Sequence, residues 1–294
     1  MMEIIRAQPT GMCFGVRRAV GAVERALYAG EKIYAIGSPI HNPQEIHRLK
    51  SLGLNVVERA EDLPEGAVAF VRAHGEEPAV FEILKRKNVK IIDGTCPFVR
   101  AVQKRAKELS EAGYDLLIFG NEKHPEVKGI LGYVSGKAEV VSAVSSLFSS
   151  TILKTSAKIH KLGLVSQTTQ EERLFAEVAK AAVGMADELR VYNTICHATT
   201  ERQHSVAKLS ARVDGMIIMG GHDSANTEKL YRIAGGACRD VLWIEEAGQL
   251  DRRWVLEKGK IGIAAGASTP DWLIERLITA INIIAGRQGD VRNE

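Results

Sequence analysis

The sequence has little of what marks several classes of protein. No apolar run approaches the roughly 20 residues that a membrane-spanning helix requires. The chain does not open with a basic stretch followed by an apolar one, so no secretory signal is predicted. Its formal net charge of +3 is too small by itself to indicate nucleic-acid binding. We therefore expect a cytoplasmic protein with no membrane and no nucleic-acid partner.

Cysteine is scarce as well, with four in 294 residues. In the cytoplasm such cysteines are typical of metal-binding, catalytic or buried thiols rather than of disulfides. The hydrophobic content of 45% and the charged content of 26% are ordinary for a globular protein. The length permits two or three domains.

One cysteine stands at a predicted junction between a strand and a helix. The apolar run 89–92 predicts a strand, and Cys96 follows the turn after it. Pro97 suits the first position of the helix predicted over 98–111, because proline lacks an N–H that would be unused there. Helix N-termini stabilise thiolates, so this position presents Cys96 to a ligand or a substrate.

The same arrangement occurs three times along the chain. A cysteine lies 28 residues before a residue of a first polar loop in the pairs Cys13–His41, Cys96–His124 and Cys196–Ser224. A second polar loop follows 44 residues later in the pairs His124–Thr168 and Ser224–Ser268, and 33 residues later between His41 and His74. Each loop follows a predicted strand, and such carboxyl ends are where open parallel sheets bind ligands.

This repeat predicts an α/β fold of three related units with small, mainly parallel sheets. The predicted boundaries are 1–96 for the unit with Cys13, 97–192 for the unit after Cys96, and 193–294 for the unit with Cys196. The polar tail after Gly286 is expected to fray.

Three thiols at equivalent loops predict a metal site with Cys13, Cys96 and Cys196 as ligands. Zinc with a fourth ligand and a [4Fe–4S] cluster with one open iron are both compatible with three thiolates. The cysteines lie 83 and 100 residues apart, which favours the cluster because structural zinc ligands usually come in close pairs. Cys238 lies outside the repeat and is interpreted as structural.

The polar loops predict a pocket for an anion. Hydroxyl, amide and imidazole groups can donate hydrogen bonds to phosphate-type oxygens, and the loop-to-helix turns add free backbone N–H groups. The residues concerned are His41, His74, His124, Ser224, Asn226 and Ser268. Glu126 is the carboxylate predicted beside them. A nearby phosphate or reduced cluster would keep it protonated, which suits a general acid.

With these motifs the sequence resembles the LytB family, the 4-hydroxy-3-methylbut-2-enyl diphosphate reductases of the non-mevalonate isoprenoid pathway. The resemblance extends over essentially the whole chain. The motifs that carry it are Gly11-Met12-Cys13-Phe14-Gly15-Val16, Ile40-His41-Asn42, Ala73-His74-Gly75, Thr95-Cys96-Pro97, His124-Pro125-Glu126, Gln167-Thr168-Thr169, Thr194-Ile195-Cys196, Ala198-Thr199-Thr200-Glu201-Arg202-Gln203 and Ala265-Gly266-Ala267-Ser268.

The resemblance implies a trefoil of three α/β domains around one [4Fe–4S] cluster, which Cys13, Cys96 and Cys196 ligate and which keeps one iron open. It implies reductive removal of the substrate's allylic hydroxyl, giving isopentenyl and dimethylallyl diphosphate. Electrons would come from a donor such as ferredoxin or flavodoxin. Glu126 and Thr168 would deliver protons, with His124 in the relay. The diphosphate would be held by His41, His74, His124, Thr168, Ser224, Ala225, Asn226 and Ser268.

Four residues depart from the pattern that this resemblance leads us to expect. Gly94 replaces an alanine, which is expected to loosen its turn. Ala225 stands where many members have serine, so one hydroxyl would be missing. His222-Asp223 replaces a common Lys-Asn, and an acidic side chain there would be unfavourable for a diphosphate unless it points away.

Two other functions remain open at this stage. A three-cysteine cluster enzyme similar to quinolinate synthase would share the architecture but bind a carboxylate substrate, and the His124-Pro125-Glu126 motif argues against it. A non-catalytic binding protein stabilised by zinc would also use three thiols.

Overall fold

The computed structural model describes residues 2–155, 159–286 and 291–293 of the chain. Within these ranges all strand pairs are parallel. The strands are β1 (Glu3–Arg6), β2 (Ile33–Ile36), β3 (Asn55–Val57), β4 (Val68–Val71), β5 (Lys90–Asp93), β6 (Asp115–Phe119), β7 (Ala138–Val141), β8 (Lys161–Ser166), β9 (Glu188–Val191), β10 (Gly215–Met219), β11 (Val241–Ile244), β12 (Lys260–Ala265) and β13 (Val291–Asn293).

Helices connect these strands. They are α1 (Phe14–Tyr28), α2 (Pro43–Ser51), α3 (Pro78–Arg86), α4 (Pro97–Glu111), α5 (Pro125–Leu131), α6 (Val144–Ser149), α7 (Thr151–Thr155), α8 (Glu172–Ala182), α9 (His197–Ser210), α10 (Ala225–Gly235), α11 (Arg252–Leu256) and α12 (Asp271–Ile284). None of the helices in the described ranges is long and apolar enough to cross a bilayer.

The chain divides into two units. The first comprises Met1–Arg17, Ile40–Leu49 and His197–Glu294, and the second comprises Arg18–Pro39 and Lys50–Cys196. The first unit contains the sheet with strand order β11-β10-β12-β1-β13. The second contains two sheets, with orders β3-β2-β4-β5 and β7-β6-β8-β9.

The same order of four strands therefore occurs in all three sheets, in agreement with the repeat in the sequence, and β13 adds a fifth strand to one of them. In each sheet a short outer strand pairs with the strand before the first polar loop. The strand before the second polar loop comes next, and the strand that leads to a cysteine follows it. The predicted α/β class with three small parallel sheets is confirmed.

The central strands are continuous apolar runs in the sequence because both of their faces are buried. All five residues of β10 are buried. Ile217 and Met219 pack in the cluster that contains residues of α12, whereas Met216 and Ile218 pack in the cluster that contains residues of α9 and α10. A parallel sheet covered by helices on both faces favours such runs over an alternating pattern.

The first strand of the chain completes the sheet of the first unit. Residues 3–6 of β1 pair with residues 260–263 of β12. The strand that leads to Cys13 thus belongs to the same sheet as the loops with Ser224 and Ser268. The division into three domains at residues 96 and 192 stays a prediction.

The sequence pattern does not predict α6, α7 or α11, which are short helices of five or six residues. The expectation of a frayed tail was wrong for Val291–Asn293, because these residues pair with β1. The remaining tail residues, 287–290 and 294, lie outside the described part of the chain.

Candidate active site

Three cysteines are anchored by the same backbone hydrogen bond. Each cysteine N–H donates to a carbonyl in the second polar loop of its own sheet. The three bonds are Cys13 to Ala267 at 3.0 Å, Cys96 to Ala73 at 3.0 Å and Cys196 to Thr168 at 2.9 Å. This equivalence appears in three sheets, so it is a property of the repeat rather than of one turn.

The three thiols are also similar in exposure. Cys13, Cys96 and Cys196 are not in disulfide bonds and are partly exposed. Cys238 is buried, and its Sγ lies 3.4 Å from the carbonyl oxygen of Asp240. Partly exposed thiols at strand-to-helix turns can become metal ligands, whereas Cys238 packs as a small apolar side chain.

Cys96 is the N-cap residue of α4, with Pro97 at the first helical position as the sequence predicts. The turn before it is tight. A Cβ at Gly94 would lie 2.5 Å from the carbonyl oxygen of Val71 and 2.8 Å from a ring carbon of Phe70. The expectation of a looser turn was wrong, because Gly94 permits a close approach of two backbone segments.

Arg202 supports the loop that carries Cys13. This arginine is 4% exposed. One guanidinium nitrogen donates to the carbonyl of Gly11 at 3.0 Å, and another donates to the carbonyl of Ala198 at 2.9 Å. Gly11 has a φ of +77°, which favours glycine at this turn. The Arg202 side chain therefore connects the first turn of α9 to the cysteine loop.

Glu126 and Thr168 form a buried pair in the second unit. Glu126 is 1% exposed and Thr168 is 5% exposed. The Thr168 N–H donates to Glu126 Oε1 at 2.6 Å, and the Thr168 hydroxyl donates to Oε2 at 2.9 Å. The first polar loop of this sheet thus meets the second through a carboxylate and a hydroxyl.

His124 caps the helix that carries Glu126. Its Nδ1 accepts a hydrogen bond from the Glu126 N–H at 3.2 Å. Because Nδ1 is an acceptor here, the ring proton of the neutral imidazole lies on Nε2, where it can be donated to a ligand. The ring centroids of His74 and His124 are 5.2 Å apart, and the two rings are nearly perpendicular. Two of the predicted anion-binding histidines are therefore neighbours.

Sequence reasoning gave no role to Gln167, which is fully buried. Its Oε1 accepts from the N–H of Asn121 at 3.1 Å, and its Nε2 donates to the hydroxyl of Thr169 at 3.0 Å. Gln167 thereby ties the two polar loops of this sheet together. The only signal for it in the sequence is its place beside Thr168 in the Gln-Thr-Thr motif.

In the first unit, the N-terminus of α10 has the features of an anion site. Ser224 is the N-cap, and its hydroxyl accepts from the N–H of Thr227 at 3.3 Å. Ala225 is the first helical residue. Asn226 is 7% exposed, and within the part of the chain that the structure describes its Nδ2 has no hydrogen-bond partner. A buried amide donor beside a helix N-terminus suits an anionic ligand.

His41 also belongs to the first unit. The hydroxyl of Ser268 donates to the His41 carbonyl at 2.9 Å, so the one proton of this predicted diphosphate donor is in use here. Asp223 Oδ2 lies 3.4 Å from His41 Nδ1. The hydrogen bond with His41 holds the pKa of Asp223 below its ordinary value. Asp223 therefore contacts His41, and its effect on diphosphate binding stays a prediction.

The structure groups the predicted site residues within each unit. The first unit has Cys13 and the loops with His41, Ser224, Ala225, Asn226 and Ser268, and the second has Cys96, Cys196, His74, His124, Glu126 and Thr168. Both groups contain a thiol that could bind a metal and donors that could bind an anion. The group in the second unit also contains a carboxylate that could hold a proton.

Residues 4–282 match the family model described as LytB protein. The chain belongs to the LytB family. A 4-hydroxy-3-methylbut-2-enyl diphosphate reductase of Aquifex aeolicus is 41% identical over 292 residues, covering 98% of this chain and 99% of the relative. The reductase of the same name from Geobacter sp. is 38% identical over 287 residues, covering 96% and 98%.

Solved structures of LytB reductases agree with this membership. A structure of (E)-4-hydroxy-3-methyl-but-2-enyl diphosphate reductase, described as the terminal enzyme of the non-mevalonate pathway, is 42% identical with a TM-score of 0.71. The alignment covers 96% of this chain and 99% of the chain in that structure. The reductase from Plasmodium falciparum is 25% identical with a TM-score of 0.90, covering 99% and 91%.

Proposed function

We propose that this LytB protein is a 4-hydroxy-3-methylbut-2-enyl diphosphate reductase of the non-mevalonate isoprenoid pathway. It removes the allylic hydroxyl of the (E)-isomer of that diphosphate and gives isopentenyl diphosphate and dimethylallyl diphosphate. The observation that carries the proposal is the match along 98% of the chain to a reductase of that name. The protein acts in the cytoplasm.

Members of the LytB family are iron–sulfur enzymes, and the donor set of this chain fits such a cofactor. Three partly exposed thiols that are not in disulfide bonds recur at equivalent turns, each with the same backbone N–H hydrogen bond. We propose one [4Fe–4S] cluster per chain, ligated by Cys13, Cys96 and Cys196 and with one iron left open. When bound, the cluster would supply electrons and a Lewis acid.

The reaction needs two electrons and two protons for each hydroxyl that leaves as water. Glu126 would be the proton donor of the second unit, and the hydroxyl of Thr168 could pass the proton because a hydroxyl both donates and accepts. His124 supplies Nε2–H as a further donor. The electrons would come from a protein such as ferredoxin or flavodoxin.

We propose the following side chains and backbone groups as donors to the diphosphate. In the first unit these are the N-terminal N–H groups of α10, the buried amide of Asn226, and the side chains of His41 and Ser224. Ser268 would join them if its hydroxyl turned from the His41 carbonyl toward the anion. In the second unit they are His74, His124 and the hydroxyl of Thr168. Ala225 brings its backbone N–H but no hydroxyl, so one donor is missing at that position.

Anaerobic reconstitution followed by a turnover assay tests the proposal. We expect about four irons per chain and broad visible absorbance that bleaches in air. The loaded protein should oxidise reduced methyl viologen when the hydroxylated diphosphate is added. A cluster-loaded protein with no turnover would refute the activity. A colourless protein with stoichiometric zinc would refute the cofactor as well.

A further inference from the structure

Asp223, in the loop before α10, contacts the ring of His41. Asp223 Oδ2 lies 3.4 Å from His41 Nδ1, and the two side chains are 60% and 16% exposed. At the backbone of the same histidine, the hydroxyl of Ser268 donates to the carbonyl at 2.9 Å. His41 is thus held in the first unit both at its ring and at its backbone.

This approach depends on Gly221. A Cβ at Gly221 would lie 2.7 Å from Asp223 Oδ1 and 3.0 Å from the His41 carbonyl oxygen. Real Cβ contacts are rarely that short, so a larger residue would push the carboxylate and the histidine apart. The glycine makes room for the pair.

A carboxylate at Nδ1 has a defined effect on an imidazole. It accepts the Nδ1–H, fixes the plane of the ring and leaves Nε2 for another ligand. A ring that donates from Nδ1 to a carboxylate can also donate from Nε2 only in its doubly protonated form. A neighbouring carboxylate stabilises that cationic form, which is the form that binds an anion well.

We propose that Asp223 is a positioning residue for the diphosphate, because its contact with Nδ1 fixes the plane of the His41 ring so that the doubly protonated ring can donate Nε2–H to the anion. This inference rests on the proposed function, in which His41 contacts the diphosphate. Asp223 is ionised at neutral pH, since its hydrogen bond with His41 keeps its pKa below the ordinary value.

The alternative is that the negative charge of Asp223 weakens diphosphate binding. A carboxylate that acted on the diphosphate by charge alone would weaken binding, and its removal would tighten binding. Glu228 provides a matched control, because it is an exposed carboxylate in the first turn of α10. Glu228→Gln removes the same charge from the same helix terminus and leaves the His41 contact intact.

The test uses full-length, cluster-loaded protein and two measurements. One is the pair of kcat and KM for the hydroxylated diphosphate with reduced methyl viologen, and the other is the Kd of inorganic pyrophosphate by calorimetry. Asp223→Asn should raise KM and Kd about tenfold and change kcat by less than about twofold. Asp223→Glu should keep part of the affinity, and Glu228→Gln should bind as tightly as the wild type or more tightly.

A double-mutant cycle separates action through His41 from other effects. In a His41→Gln background, Asp223→Asn should cause no further loss of pyrophosphate affinity, because the partner of the carboxylate is already gone. Wild-type or tighter binding by Asp223→Asn, or the same loss in both backgrounds, would overturn the inference. Absence of turnover in the loaded wild type would instead refute the proposed function, and the pyrophosphate cycle would still decide this inference.

Discussion

Thr168 contacts the carboxylate of Glu126 at two points. Its N–H donates to one oxygen at 2.6 Å and its hydroxyl donates to the other at 2.9 Å. Both oxygens of the carboxylate are therefore engaged, and the side chain is fixed in one orientation. The hydroxyl is the only one of these two donors that can exchange a proton with the carboxylate.

Removing either member of this pair should slow turnover without removing iron. Glu126→Gln should lower kcat by about a hundredfold or more, because it deletes the proton donor, and Thr168→Val should lower it by about tenfold. Thr168→Ser keeps the hydroxyl and should remain close to the wild type. Methyl viologen oxidation measures kcat, and visible absorbance checks the cluster. Wild-type turnover by Glu126→Gln would exclude Glu126 as the acid.

The cysteines should separate into ligands and a structural residue. Cys96→Ser should lose most of the iron bound after reconstitution, because serine is a poor ligand for a cluster that prefers thiolates. Cys238→Ser should keep the wild-type iron content, since Cys238 is buried among the side chains of the first unit. Iron per chain, determined with the visible spectrum, is the measurement. Equal iron in both variants would contradict the ligand assignment.

Gly94 should resist substitution for steric reasons. A methyl group there would lie 2.5 Å from the Val71 carbonyl oxygen, so Gly94→Ala should lower the free energy of unfolding by about 1–3 kcal/mol. Gly235, near the end of α10, has open space where a Cβ would be. Gly235→Ala should be neutral or slightly stabilising. Urea unfolding of both variants tests this, and a neutral Gly94→Ala would show that the turn adjusts at little cost.

The Asp240–Lys258 pair should make stability depend on pH. The hydrogen bond from Lys258 lowers the pKa of Asp240, and the indole N–H of Trp254 donates to the same carboxylate at 2.6 Å. A carboxyl group whose pKa is lower in the folded state stabilises the protein above its unfolded pKa and loses that contribution as the pH falls. Asp240→Asn should therefore destabilise at neutral pH.

The difference in unfolding free energy between wild type and Asp240→Asn should shrink as the pH falls below about 4, the ordinary pKa of an aspartate, and through the lower pKa of Asp240 in the folded protein. Urea unfolding at several pH values measures it. A difference that is constant with pH would show that the effect of Asp240 is packing rather than charge.

Much of the architecture could be predicted because it depends on local features of the sequence, namely apolar runs and the spacing of polar residues and cysteines. Apolar runs such as 68–71 and 215–219 are typical of buried strands, and the structure has strands at these residues. Since all pairs are parallel, the polar residues that follow strands come at their carboxyl ends. The regular spacing of 28 residues between cysteine and first polar loop indicated the repeat before any sheet was known.

The short helices of five or six residues escaped prediction, because so few turns give little periodicity. The partner of β1 escaped it too, since β1 pairs with a strand near the other end of the sequence. No local pattern records which of several apolar strands will be the neighbour of another.

Residue type and spacing are enough to reveal the repeat, the three cysteines and the set of polar loops. Which groups are in contact depends on the packing of the folded chain: Thr168 with Glu126, Arg202 with the loop of Cys13, and Asp223 with His41. These contacts join residues far apart in the chain. Their geometry depends on how sheets and loops pack, as at Gly94, where space rather than turn preference fixes the residue.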